Sequence, residues 1–198
     1  MQAPFYPIIY VRGYAMTGGE RDETAADPFC GFNLGSTVYR AAIDKDVPPK
    51  RFIFESPVLR LSSDFGYSDV YEQGADIMDA EWQPRGDKAG IDARSIIVYR
   101  YYDAGSTLFG EGKASPIEDY ARGLSTLILK VRDLVCAQEA GALAPGDFRC
   151  YLVAHSMGGL VVRGFLQNPA LGSAAARRAV DKVFTYATPH NGIDVVGM

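Results

Sequence analysis

Four short runs of apolar residues constrain the fold of this chain more than any other feature of its sequence. Each run is apolar, β-branched or aromatic at consecutive positions, whereas a strand with one solvent-exposed face alternates between apolar and polar residues. Strands buried on both faces are typical of parallel sheets, because helices cover both sides. We therefore predict four buried parallel strands, at residues 7–11, 95–102, 148–153 and 182–187.

A long amphipathic pattern lies between the second and third of these strands. Apolar residues recur at three- and four-residue spacing over 117–135, which predicts a helix from about 116 to 140. Ser115 is a candidate cap, Pro116 suits the first helical position, and Glu118 would complete a capping box.

Two further helices are expected between the third and fourth strands. One should begin just after Ser156 and end near Asn168, and a short one should cover 174–180. The alternation of strand and helix predicts an α/β fold, with a mostly parallel sheet and flanking helices.

Residues 15–94 interrupt this alternation, because compact domains usually join their elements with roughly four to six residues. The stretch is rich in aromatic residues and turn formers. Two interpretations remain open: a self-packed excursion with its own small core, or a cap that contacts substrate. We treat 1–198 as one α/β domain and 15–94 as an insert or cap within it.

Composition excludes several classes of function. The net charge is −4 with both signs interspersed, which disfavours nucleic acid as a partner. No apolar run approaches the roughly 20 residues that cross a bilayer, and the N-terminus has no signal-peptide pattern, so we expect a cytoplasmic protein unless the N-terminus is trimmed. The three cysteines suit neither a disulfide framework nor a zinc site, and no motif implies a cofactor. The oligomeric state is left open.

The run Tyr-Leu-Val-Ala-His-Ser-Met-Gly-Gly-Leu at 151–160 carries the chemistry. A buried strand turns directly into a helix at Ser156, with the small residues Ala154 and Gly158 two positions away on either side. The helix N-terminus behind Ser156 supplies amides and a positive dipole end, both suited to an oxyanion. The Met157 N–H would be the first donor.

This run resembles the nucleophile elbow of the α/β-hydrolases, whose pattern is G-x-S-x-G. The alanine at 154 makes it similar to the A-H-S-M-G elbow of certain bacterial lipases. Thr-Pro-His-Asn-Gly at 188–192 is similar to the T-P-H-x-G segment of lipases and of GPI inositol-deacylase-like proteins. The resemblance implies an α/β-hydrolase fold with Ser156 as nucleophile.

The resemblance also implies a second oxyanion donor in the loop after the first strand. Arg12 stands where the family usually has histidine, and Gly13 follows it. Because the donor is a main-chain amide just past the glycine, we assign it to Tyr14.

A catalytic base is the missing part. His155 adjoins the serine and should point away from it, while His190 follows the last strand at the same edge of the sheet; we take both as possible supporting residues. Asp181 should lie at the opposite edge, and Asp194 could reach His190 only if the terminal loop folds back. In the family, two further strands bring the acid and the base, so we expect the chain to be truncated.

Three functions stay open at this point. The first is hydrolysis of carboxylic esters through an acyl-enzyme on Ser156, with lipid or acyl esters as the expected substrates. The others are a noncatalytic α/β-hydrolase-like binding or scaffold protein and acyl transfer to another acceptor.

Overall fold

The computed structural model describes residues 5–13, 17–32, 37–40, 50–53, 56–139 and 142–192, with the backbone alone for 37–40 and 50–53. Its elements, in chain order, are β1 (Ile8–Val11), α1 (Gly18–Ala26), β2 (Thr37–Arg40), β3 (Lys50–Ile53), α2 (Pro57–Phe65), β4 (Ser68–Asp69), β5 (Ser95–Val98), α3 (Tyr102–Gly105), α4 (Ile117–Gln138), β6 (Cys150–His155), α5 (Gly158–Gln167), a 3₁₀ turn (Pro169–Leu171), α6 (Ala174–Ala179) and β7 (Val180–Tyr186).

Five strands form one parallel sheet in the order β4-β5-β1-β6-β7. β1 lies at its centre, where Ile9 is paired with Ile97 of β5 on one side and Leu152 of β6 on the other. The short strands β2 and β3 form a separate antiparallel pair. The predicted α/β fold, with a mostly parallel sheet and flanking helices, is confirmed.

Helices α4 and α5 cover one face of the sheet. The apolar stripe of α4 and the buried residues of α5 pack against inward-facing strand residues, as the three- and four-residue spacing requires. The fully buried members of this core include Ile9, Val11, Ile97, Leu124, Ile128, Val131, Leu152, Ala154, Val161 and Phe165.

The opposite face of the sheet is covered by parts of the 15–94 insert. Cys30, Phe32, Val58 and Tyr67 pack on the alternate residues of β1 and β5. Elsewhere in the insert, Ile77, Trp82 and Ile91 join the core beneath α4, and β4 extends the sheet. The described part of the insert therefore shares the cores of the main sheet.

Two strand predictions need correction. The strand predicted over 95–102 ends at Val98, because the chain turns into the short helix α3 at Tyr102. The last strand is not buried: Phe184 is 58% exposed, and every residue from Asp181 to Tyr186 is exposed. β7 is exposed because it lies at the edge of the described sheet, where β6 is the one described strand that pairs with it.

The predicted cap of α4 is also wrong. Pro116 is the N-cap residue and makes no side-chain capping bond. Ser115 instead donates its backbone N–H to the Tyr120 hydroxyl, at 2.8 Å, so the capping box with Glu118 does not form. The Tyr120 hydroxyl thus takes the place that the Glu118 side chain was predicted to occupy.

Candidate active site

The strand order puts a topological switch point at the carboxyl ends of β1 and β6. The chain leaves β1 toward the β5 side of the sheet, whereas it leaves β6 toward β7 on the other side. Ligands of open α/β sheets bind where the connections diverge in this way, just beyond the strand ends. Gly13 follows β1 and Ser156 follows β6 at this point.

Ser156 forms a tight strand-to-helix turn. β6 ends at His155 and α5 begins at Gly158, with Ser156 at φ +51°, in the left-handed region. A non-glycine residue there costs roughly 1–2 kcal/mol, so the surroundings must hold it. The Ser156 N–H donates to the Tyr186 carbonyl at 3.0 Å, and its carbonyl accepts from the Gly159 N–H at 3.0 Å.

Three glycines let the neighbouring segments approach this turn. A Cβ on Gly13 would lie 2.9 Å from the Ser156 Oγ, and one on Gly158 would lie 2.6 Å from the Arg12 carbonyl oxygen. A Cβ on Gly159 would lie 2.8 Å from the Thr188 Cβ. Larger residues would therefore push the β1 loop and the segment after β7 away from the serine.

The Ser156 hydroxyl and the Met157 amide are both available for chemistry. In the part of the chain that the structure describes, neither has a hydrogen-bond partner, and both residues are half-buried. Met157 is the N-cap residue of α5, so its amide lies at the positive end of the helix dipole. Tyr14, the expected second oxyanion donor, lies outside the described residues.

His155 points to the sheet face opposite α5. Its ring stacks on Tyr186, with centroids 4.9 Å apart and an interplanar angle of 28°. Burial lowers the pKa of the imidazole, and the positive charge of Arg12 lowers it further. It makes no hydrogen bond with Ser156.

His190 lies near the site without contacting the serine. Its Nε2 is 3.3 Å from the Thr185 Oγ1, and its carbonyl accepts a 2.7 Å hydrogen bond from Arg163. This places His190 on the side of β7 that faces α5. Neither histidine is within hydrogen-bonding distance of the Ser156 hydroxyl.

The two acidic candidates do not complete a triad among the described residues. Asp181 is the second residue of β7, and its neighbours in the register are at the start of β6, the far end of that strand from Ser156. Strand geometry puts that end roughly 17–20 Å away. Asp194 lies outside the described residues.

Arg12 has a packing role. Its guanidinium donates to the Cys30 carbonyl at 2.8 Å. It fills the space left by Gly31, where a Cβ would lie 3.1 Å from the Arg12 Cζ. The side chain therefore ties the 27–32 segment to the sheet, while its backbone leads into Gly13.

Comparison with protein-family models, with curated proteins and with solved structures found no match. Within the described residues, no group of three or more histidine, cysteine or acidic side chains could hold a metal ion, and no helix is both long and apolar enough to cross a membrane.

Proposed function

We propose that this chain carries the nucleophile of a serine esterase or lipase of the α/β-hydrolase type, with Ser156 forming an acyl-enzyme. The observation that carries the proposal is the left-handed Ser156 between a buried strand and the N-terminus of α5, at the point where the sheet connections diverge. Strain of this kind is typical of functional sites when the surroundings fix it. Here Gly13, Gly158 and Gly159 let the neighbouring segments pack closely around the turn.

The reaction would proceed in two half-reactions. The Ser156 Oγ attacks the ester carbonyl, its proton passes to a general base, and the carbonyl oxygen becomes an oxyanion. The Met157 amide, and by the sequence argument the Tyr14 amide, would donate to that oxygen. The C–O bond of the ester then breaks and the alcohol leaves with the proton. In the second half-reaction water gives its proton to the base and attacks the acyl carbon, the bond to the Ser156 Oγ breaks, and the carboxylic acid leaves as the proton returns to the serine.

The general base is left unassigned by this proposal. The His155 ring is stacked on Tyr186 on the opposite sheet face, and the His190 Nε2 lies 3.3 Å from the Thr185 Oγ1. A lipid or other acyl ester is the substrate class that the sequence motifs favour. Acyl transfer would share the first half-reaction and differ only in the acceptor.

A fluorophosphonate probe tests the proposal, because it reacts with activated serines. We expect labelling of the protein at Ser156, located by mass spectrometry of the modified peptide. Ser156→Ala should abolish it, and Ser106→Ala, which removes another buried serine, should leave it unchanged. A folded protein without label at Ser156 would reject the proposal.

One observation favours a second candidate, a noncatalytic binding protein that uses the same fold. No histidine in the described part of the chain contacts the Ser156 hydroxyl, and an unassisted serine is a weak nucleophile. The same probe separates the two functions, because a binding protein would remain unlabelled.

A further inference from the structure

Tyr101 makes a buried contact with the loop that approaches Ser156. Its hydroxyl donates to the Arg12 carbonyl oxygen. Tyr101 follows β5 as the N-cap residue of α3, and it is only 5% exposed. Its ring packs against Tyr99, Tyr102 and Tyr120, with centroids 4.5–5.2 Å apart. The hydroxyl is thus held in place by its own packing.

The Arg12 carbonyl is confined from a second direction. Gly158, the first residue of α5, leaves so little room that a Cβ there would lie 2.6 Å from the same oxygen. Since a peptide group is planar, fixing this carbonyl also fixes the direction of the Gly13 N–H. Gly13 is the residue whose α-carbon faces the Ser156 side chain.

We propose that Tyr101 is a positioning residue for the Ser156 site: its hydroxyl holds the 12–13 peptide group and thereby sets the distance between the β1 loop and the nucleophile. This inference rests on the proposed function for its catalytic consequence. Burial raises the pKa of the Tyr101 hydroxyl well above its usual value, so it remains a donor over the pH range in which esterases are assayed.

Tyr101→Phe removes the hydroxyl and keeps the ring, and Tyr99→Phe is a matched control. The Tyr99 hydroxyl is also buried and also donates to a carbonyl, that of Tyr120 in α4, at 2.8 Å. We expect labelling of Ser156 by a fluorophosphonate to be roughly 10–100-fold slower in Tyr101→Phe, because small displacements of a site cost such factors. Tyr99→Phe should stay within about threefold of the parent even if it lowers the unfolding temperature equally.

Equal labelling rates in the two variants would overturn the proposal while leaving the proposed function intact.

Hydrogen–deuterium exchange gives a second readout that needs no activity. The peptide that contains Arg12 and Gly13 should exchange faster in Tyr101→Phe than in Tyr99→Phe, and unchanged exchange would also overturn it. An unlabelled parent with this exchange difference would reject the esterase function and retain the role of Tyr101 in fixing the loop.

Discussion

The turns that follow β6 and β7 share one backbone feature and differ in everything around it. Ser156 and Ala187 are both non-glycine residues in the left-handed region, at φ +51° and +52°. The turn at Ser156 enters a ten-residue helix, whereas Thr188 and Pro189 continue without one. A positive φ therefore does not mark a site by itself. The helix N-terminus and the close-packed glycines distinguish the turn at Ser156.

The strands that lead to these turns also differ, in their pairing and in their burial. β6 is paired on both sides and alternates between buried and half-buried residues. Among the described residues β7 is paired on one side, and it is exposed from Asp181 to Tyr186. Packing can hold a strained residue only where neighbours surround it. Ser156 is half-buried among such neighbours, whereas Ala187 is exposed.

The largest expected difference concerns the two strands. Leu152→Ala, which empties a fully buried position of β6, should lower the free energy of unfolding by about 2–5 kcal/mol. Val183→Ala on β7 should cost less than about 1 kcal/mol, because Val183 is 37% exposed. Urea denaturation measures both values. Similar losses for the two variants would show that β7 is buried in solution, and the comparison would fail.

A methyl group at Gly13 should disturb the serine directly. Its position 2.9 Å from the Ser156 Oγ predicts that Gly13→Ala slows fluorophosphonate labelling by about 100-fold and destabilises the protein by about 1–3 kcal/mol. This substitution acts on Ser156 itself, so it does not isolate the contribution of Tyr14.

Gly19→Ala is the control for Gly13→Ala. A Cβ at Gly19 would meet no atom within 4 Å, and alanine favours the helix α1 in which it lies. Its labelling rate should match that of the parent protein. Labelling of Gly13→Ala at the parent rate would show that the close approach of Gly13 to Ser156 does not affect the reactivity of the serine.

Glycine substitutions should relieve the backbone strain of both turns, with smaller changes in the free energy of unfolding than those above. Ser156→Gly should be more stable than Ser156→Ala by about 0.5–1 kcal/mol, because glycine adopts a positive φ without a steric penalty. Ala187→Gly should gain no more than this, and it should keep the parent labelling rate. Thermal unfolding provides the measurement, and a Ser156→Gly protein less stable than Ser156→Ala would show that residue 156 is unstrained.

The smallest expected effect is a pH dependence at the contact between the two turns, where His155 stacks on Tyr186. The pKa of His155 is lower in the folded state than the ordinary value of 6.5, so the folded protein binds fewer protons near that pH than the unfolded protein. The stability due to this residue is complete above about pH 6.5 and is lost as the pH falls through the folded-state pKa. His155→Phe keeps the stacked ring and should remove this loss.

Urea midpoints at about pH 7.5 and 5.5 measure the effect of His155→Phe. Comparison with the parent cancels the titration of all other groups. A parent protein and variant with the same change in midpoint would assign the pH dependence to residues elsewhere.

Much of the fold follows from local pattern in the sequence. The runs at 7–11 and 148–153 predict β1 and β6 to within two residues, and the apolar stripe over 117–135 predicts α4. The Ser156 turn follows from an apolar strand, small residues and a helix pattern in succession. These features are encoded by neighbours along the chain, so periodicity detects them.

Tertiary contacts decided the remainder. The exposure of β7 depends on which strand lies beside it, and the end of β5 depends on the turn into α3. The sequence left the insert open as a self-packed excursion or a cap, and it did not indicate that several of the described insert residues join the two cores of the main sheet. No periodicity in the sequence specifies such partners.

The sequence by itself determined that this protein has a parallel α/β sheet with a serine at a strand-to-helix turn. Only the tertiary structure decided that Gly13 reaches that serine, that Tyr101 binds the Arg12 carbonyl, and that both histidines have other partners. The physical reason is that strand and helix patterns arise from local steric and hydrophobic periodicity. Contacts between residues far apart in the chain arise only when strands are ordered into a sheet.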